Sequence, residues 1–210
     1  MAEVQIIGLP QSNWVWATRI ACAEKGVSHE NIVAEPHSRP IDAIHPLGKV
    51  PVMRHGDFVL AESRAICMYI DRAFQGPALT PAGIQEAAIA EMWASIIQTS
   101  VEPIAIRQYL FGYMIPKTAD KSPDRAQIDA AMPQVAKGLS VVAKGIEDGA
   151  LGSGHLTIGD AFLIPILFYL KNTPEAGKVI GASKTLSGYF DRQIARPSVK
   201  QTMPPLGAQS

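Results

Sequence analysis

Leu47-Gly48-Lys49-Val50-Pro51-Val52-Met53-Arg54-His55-Gly56-Asp57-Phe58-Val59-Leu60-Ala61-Glu62-Ser63-Arg64-Ala65-Ile66 is the stretch on which the fold turns. Val50 to Met53 and Phe58 to Leu60 are short β-branched and aromatic runs, the composition of strands. Arg54-His55-Gly56-Asp57 between them reads as a hairpin turn. Glu62 to Phe74 then repeats apolar residues at helical spacing, with Ile66, Tyr69, Ile70 and Ala73 placed on one face.

Working outward toward the N-terminus, Glu35 to Leu47 carries three prolines and three charged residues and reads as irregular surface chain holding at most one helical turn. Ser28 to Ala34 is a strand candidate. Trp14 to Lys25 is helical, capped by Ser12 or Asn13 and stopped by Gly26. Val4 to Gly8 is a strand, ended by Pro10-Gln11-Ser12-Asn13. The order is strand, helix, strand, then strand, hairpin strand, helix. That is the order of a thioredoxin-like α/β layer.

Toward the C-terminus the strand signals stop. Gln75 to Gly83 holds two prolines and two glycines and reads as a connection. Ile84 to Tyr113 is helical, with Pro103 predicting a kink. Asp124 to Asp148, Thr157 to Leu170 and Ser183 to Ile194 are three further helices. The predicted organisation is a thioredoxin-like α/β domain over 1–76, a linker over 77–83, an all-helical domain over 84–203 and a loose tail over 204–210. Thr157-Ile158-Gly159-Asp160 has the spacing of a capping box ahead of the apolar helix Ala161 to Leu170 and reads as structural.

Composition narrows the function. The chain has 210 residues, 47% of them hydrophobic, so a packed core is expected. Lys and Arg total 19 and so do Asp and Glu, which argues against a broad nucleic-acid footprint. The two cysteines, Cys22 and Cys67, form no CxxC pair, which argues against a disulfide scaffold or a zinc site and for a reducing, cytoplasmic setting. Met1 to Leu9 lacks the pattern of a signal peptide, and no apolar run is long enough to span a bilayer. The five histidines make no HxxxH set, so no metal is expected. Gly152-Ser153-Gly154 has no preceding parallel strand and is no dinucleotide fingerprint.

The Val50-Pro51 pair, followed by Glu62-Ser63 and a helix, resembles the glutathione-binding half of cytosolic glutathione transferases, serine-type and plant- or bacterial-like. Glu24-Lys25-Gly26, the Thr157 to Asp160 box and Arg196-Pro197-Ser198-Val199 extend the likeness over nearly the whole chain. The resemblance implies the roles. Val50, ahead of a cis Pro51, pairs its backbone with the cysteinyl unit of glutathione, like an added strand. Glu62 accepts from the γ-glutamyl ammonium. Ser63 and the amides opening its helix hold the γ-glutamyl carboxylate. Lys49, with His37 and Arg39 as further candidates, meets the glycyl carboxylate. Ser12 at the head of the first helix donates to the thiolate and lowers its pKa, with Asn13 as the alternative donor. Trp14, Arg107, Tyr109, Phe111, Tyr113 and Met114 line the pocket for an apolar electrophile. The implied protein is a two-fold dimer using the Glu62 to Phe74 helix. Two rival functions on the same fold are glutathione-dependent reduction of disulfides or peroxides, and a non-catalytic interaction module.

Overall fold

The computed structural model describes residues 3–116 and 118–205. Four strands, β1 (Val4–Ile7), β2 (His29–Ile32), β3 (Val52–His55) and β4 (Phe58–Ala61), form one sheet in the order β2-β1-β3-β4. β1 runs parallel to β2 and antiparallel to β3, with Ile7 opposite Ile32 and Val52. The apolar run of β1 sits centrally with Val4, Ile6 and Ile7 buried. The more polar β2 takes one edge and β4 the other, as expected of strands that face water on one side.

The hairpin is tighter than the sequence predicts. Arg54 and His55 belong to β3, and only Gly56 and Asp57 turn. Gly56 adopts φ +58° at the first central position, which a two-residue hairpin loop demands.

α1 (Asn13–Glu24) is buried on two sides. Val15 and Cys22 face the sheet, packing with Ile6, Met53 and Ile66. Trp14, Trp16, Ala17 and Ile20 face the other way, into the helical half. α2 (Arg39–Asp42) is the single turn allowed for in the irregular stretch. α3 (Ser63–Ala73) covers the sheet beside α1 through Ile66 and Ile70, with Cys67 turned to the helical cluster, whereas Ala73 is exposed and falls outside the predicted buried face. The connection after α3 is anchored: Leu79 is buried, and its N–H donates to Asp71 Oδ1, which also pairs with Lys25 Nζ.

The rest is helical. α4 (Ile84–Ile96) continues through two π-helical stretches, Ile97–Val101 and Pro103–Leu110, into α5 (Phe111–Met114). Pro103 has no N–H to give to the ladder. The backbone answers around it with wider turns, the N–H of Glu102 reaching back five residues to Ile97. α6 (Arg125–Glu147) passes through Pro133 and Gly138 without a break. α7 (Ile158–Lys171) is buried nearly all round. Its capping box is closed: Thr157 accepts from the Asp160 N–H, and the Asp160 carboxylate accepts from the Thr157 N–H, the Gly152 N–H and the Tyr189 hydroxyl.

α8 (Pro174–Ala182) and the short α10 (Pro197–Lys200) are not predicted from the sequence; each opens with proline at its first position, and they flank the predicted α9 (Lys184–Ile194). Pro204 is buried, so the start of the predicted loose tail is packed, and 206–210 lie outside the described residues. One apolar cluster joins the halves. Trp16 stacks edge-on to Phe168 at 5.0 Å, and Trp14 to Phe162 at 5.0 Å. Among the described residues, no helix is long and apolar enough to cross a membrane.

Candidate active site

The sheet and the helical half leave a cleft of about 720 Å³ between them, a volume suited to a small-molecule site. Its floor is the head of α1. Gly8 ends β1 there, and a Cβ at that position would come within 2.9 Å of the Val50 Cβ, so glycine lets the β1 end and the Val50 edge close up. Ser12 is the N-cap of α1, accepting from the Val15 N–H at 3.5 Å. That bond uses an oxygen lone pair and leaves the hydroxyl proton for another acceptor. Asn13, the alternative donor, is buried, and its Nδ2 lies 3.4 Å from Glu102 Oε1.

One wall comes from the deciding stretch. The Val50–Pro51 peptide is cis, and both residues line the cleft. Lys49 is exposed beside them, and Glu62 and Ser63 close the wall. Ser63 is 4% exposed. It is the first residue of α3 rather than its cap; the cap position belongs to Glu62, whose side chain makes no capping bond. Glu62 adopts φ +71°, unusual for a residue with a Cβ.

His45 is a member of this wall that the sequence does not reveal. It is buried, its Nδ1 accepts from the Leu47 N–H at 3.0 Å, and its Nε2 lies 3.3 Å from Glu62 Oε1. Accepting at Nδ1 leaves the proton on Nε2, aimed at the carboxylate. No pattern around His45-Pro46 marks it, because the contact depends on how the irregular stretch folds back. His37 also lines the cleft with φ +59°, its N–H bonded to the Gly48 carbonyl. Gly48 adopts φ +62°, a left-handed conformation that favours glycine at this crossing. Arg39, the other candidate of the irregular stretch, starts α2 and does not line the cleft.

The opposite wall is the π-helical rod. Arg107, Phe111 and Met114 of this rod, with Trp14 of α1, line the cleft. Tyr109 and Tyr113 do not. They stand four residues apart on the rod's other side, their hydroxyls bonded to Glu175 of α8. Tyr109 is fully buried, and Arg125 Nη1 donates to the Tyr113 hydroxyl. Nearness in sequence grouped them with Arg107 and Phe111, but a helix separates such neighbours onto different faces.

Gln98, Glu102 and Ile106 take part in their place, with Tyr169 from α7. The Tyr169 hydroxyl donates to the Gln11 carbonyl at 2.6 Å. Glu102 is 4% exposed, and Arg107 Nε lies 3.2 Å from its Oε1. Burial pushes the Glu102 carboxyl up, opposed by the Arg107 charge and by hydrogen bonds from Asn13, Arg107 and Trp14. The Arg107 guanidinium lies over the Phe111 ring at 5.1 Å.

The cysteines stand apart from this chemistry. Both are free and buried, and burial pushes the Cys22 thiol up to about 12 and raises the Cys67 thiol as well. Among the described residues no group of three or more His, Cys, Asp or Glu side chains is arranged to hold a metal ion.

Known proteins resemble the chain along its length. The family model described as "Glutathione S-transferase, N-terminal domain" matches residues 6–78, and "Glutathione S-transferase, C-terminal domain" matches 125–192. Glutathione S-transferase 1 of Triticum aestivum is 28% identical, over 96% of this chain and 93% of its own. Glutathione S-transferase F6 of Arabidopsis thaliana is also 28% identical, over 97% of this chain and all of its own. A solved structure of glutathione S-transferase III in its apo form superposes with a TM-score of 0.85 at 28% identity, covering 100% of this chain and 99% of that one.

Proposed function

The chain belongs to the glutathione S-transferase family, and from that premise we propose that it is an enzyme joining the thiolate of glutathione to small apolar electrophiles by addition or substitution. The observation that carries this reading is the convergence on one cleft of Ser12, the Val50–Pro51 edge and the Glu62–Ser63 corner. These three features meet the needs of a tripeptide thiol: an activated sulfur, a backbone partner for its central unit, and charge complements for its γ-glutamyl end.

In this reading glutathione lies along Lys49, Val50 and Pro51. Its γ-glutamyl ammonium meets Glu62, which His45 orients, and its carboxylate meets Ser63 and the unpaired N–H groups opening α3. His37 and Lys49 serve the glycyl end. Ser12 donates its hydroxyl proton to the sulfur while its lone pair caps α1. The donor and the positive end of that helix both favour the thiolate, which at an ordinary thiol pKa is a minor species at neutral pH. Asn13 has its amide engaged with Glu102, which favours Ser12 as the donor. The sulfur then attacks an electrophile held over it by Trp14, Phe111 and Met114. The rate gain comes from ionisation and proximity, with no covalent enzyme intermediate. The buried, high-pKa cysteines offer a reductase route through an enzyme thiol no support.

The same reading makes residues 1–76 the glutathione-binding domain, 77–83 the linker and 84–203 the domain bearing the electrophile pocket. It also makes the protein a cytoplasmic detoxification enzyme acting as a homodimer through α3, without metal, membrane or nucleic-acid partners. The test is the Ser12→Ala variant. Turnover of glutathione with chlorodinitrobenzene should fall by about tenfold to a hundredfold, the worth of a hydrogen bond to a charged group, while calorimetry shows glutathione affinity nearly intact. Wild-type turnover in the variant would remove Ser12 from this role.

A further inference from the structure

Two charged side chains, Glu102 and Arg107, line the helical wall of the cleft among the described residues, and they are not presented equally. The Glu102 side chain is 5% exposed, held between Asn13 Nδ2 and Arg107 Nε. The Arg107 side chain is 52% exposed. Glu102 therefore lies inside the wall, and the charged group this wall offers to an incoming molecule is the guanidinium. Arginine has five N–H donors in a planar fork, and the contact with Glu102 is made at Nε. The Phe111 ring, 5.1 Å from the guanidinium carbon, supplies an apolar surface beside it. Lys49, Glu62 and the imidazoles of His37 and His45 stand at the opposite wall.

We propose that this half of the cleft selects electrophiles carrying a planar apolar body and one carboxylate or comparable anionic group, which Arg107 receives while the body stacks along Phe111, Met114 and Trp14. The inference rests on the transferase reading and narrows it to a substrate class. A fork pinned at one nitrogen has lost most of its rotamer freedom before the ligand arrives, so an anion meeting it pays less ordering entropy than it would with a free surface arginine. Partial burial in the cleft keeps the interaction stronger than an open surface pair.

The test compares a matched pair of aryl chlorides, uncharged 1-chloro-2,4-dinitrobenzene and the anionic 4-chloro-3,5-dinitrobenzoate. In both, the glutathione sulfur forms a bond to the ring carbon bearing chlorine, chloride leaves with the bonding pair, and the thiol proton passes to solvent. The quantity read is the kcat/KM of the anionic substrate divided by that of the uncharged one. In Arg107→Met this ratio should fall about tenfold relative to wild type, the scale of one charge-assisted hydrogen bond in a half-open site. In Arg107→Lys part of the preference should remain. A ratio within twofold of wild type in Arg107→Met would overturn the proposal.

A second arm does not depend on turnover. Quenching of tryptophan fluorescence, with Trp14 in the cleft wall, is titrated with the two preformed glutathione conjugates. Arg107→Met should weaken binding of the carboxylate conjugate more than that of the uncharged one, and equal weakening would overturn the proposal. Wild-type protein that turns over neither chloride would sink the transferase reading itself, with the binding arm still deciding the role of Arg107.

Discussion

Glu62 occupies a backbone conformation that residues with a Cβ avoid, φ +71° and ψ 118°. Holding such a residue there costs on the order of 1–3 kcal/mol, so the surrounding structure must enforce it. The result is useful: the chain turns sharply out of β4, Ser63 opens α3 against the cleft, and the Glu62 carboxylate comes within reach of His45. Two variants separate strain from chemistry. Glu62→Ala and Glu62→Gly both remove the carboxylate, and both should weaken glutathione binding. Only glycine relieves the backbone. Glycine in a well-ordered segment usually destabilises relative to alanine. Here Glu62→Gly should be the more stable of the two by about 1 kcal/mol, or roughly 2–4 °C in Tm for a chain of this size. Thermal unfolding of the pair checks this, and an alanine variant at least as stable as the glycine one would mean that the site is unstrained.

Between elements, Glu175 at the start of α8 is the tie that keeps two tyrosines out of the cleft. It takes bonds from Tyr109, Tyr113 and Arg125, and so joins the π-helical rod, α5, α6 and α8. Desolvation alone would push its carboxyl up. The hydrogen bonds from Tyr113, Arg125 and Tyr109 outweigh it and hold the group at about 2. A carboxyl whose folded pKa lies below its unfolded value stabilises the protein above that unfolded value, near 4.5. The contribution is lost as pH falls toward about 2. Glu175→Gln should therefore be less stable than wild type at pH 7 by about 1 kcal/mol, the modest worth of a partly exposed charged cluster. The gap should shrink as pH falls from 5 to 3. Urea denaturation at the three pH values measures it, and a gap undiminished at pH 3 would exclude the charge of Glu175 as the cause.

At the scale of the molecule, α1 is shared property. One face completes the sheet's core and the other enters the helical cluster, where Trp16 meets Phe168 and donates from its indole nitrogen to Thr202. Most two-domain chains meet across smaller, more polar surfaces and can part. Here the loss of the helical half would expose Trp14, Trp16 and Ile20 to water. Unfolding in denaturant should be a single transition, with tryptophan fluorescence and far-ultraviolet circular dichroism coinciding. Midpoints that separate would show that the halves unfold independently. The shared core also explains why a cleft between two differently built halves can hold its geometry: its floor, at Ser12, stands on the one element both halves bury.

Much of this was legible in the chain itself. The strand order, the three helices of the sheet half apart from the bounds of its one-turn helix, the cap at Thr157, the glycine stop at Gly26 and the nearness of Lys49, Val50 and Pro51 to Glu62 and Ser63 all follow from residues within about twenty positions of one another. Over such distances a strand, a two-residue turn and a helix start leave little freedom, so spacing already dictates geometry. Other features required the folded molecule. His45 reaches Glu62 only because the irregular stretch folds back over the Gly48 crossing. Tyr169 joins the cleft from α7, 158 positions away in sequence from the Gln11 carbonyl it binds. Residues two apart on a helix point to different sides, and packing decides that Arg107 and Phe111 face the cleft while Tyr109 and Tyr113 turn to Glu175. Local sequence sets each element's identity and its caps. Which face of an element meets which neighbour is decided by the burial of apolar surface across the whole chain, and that sum has no local signature.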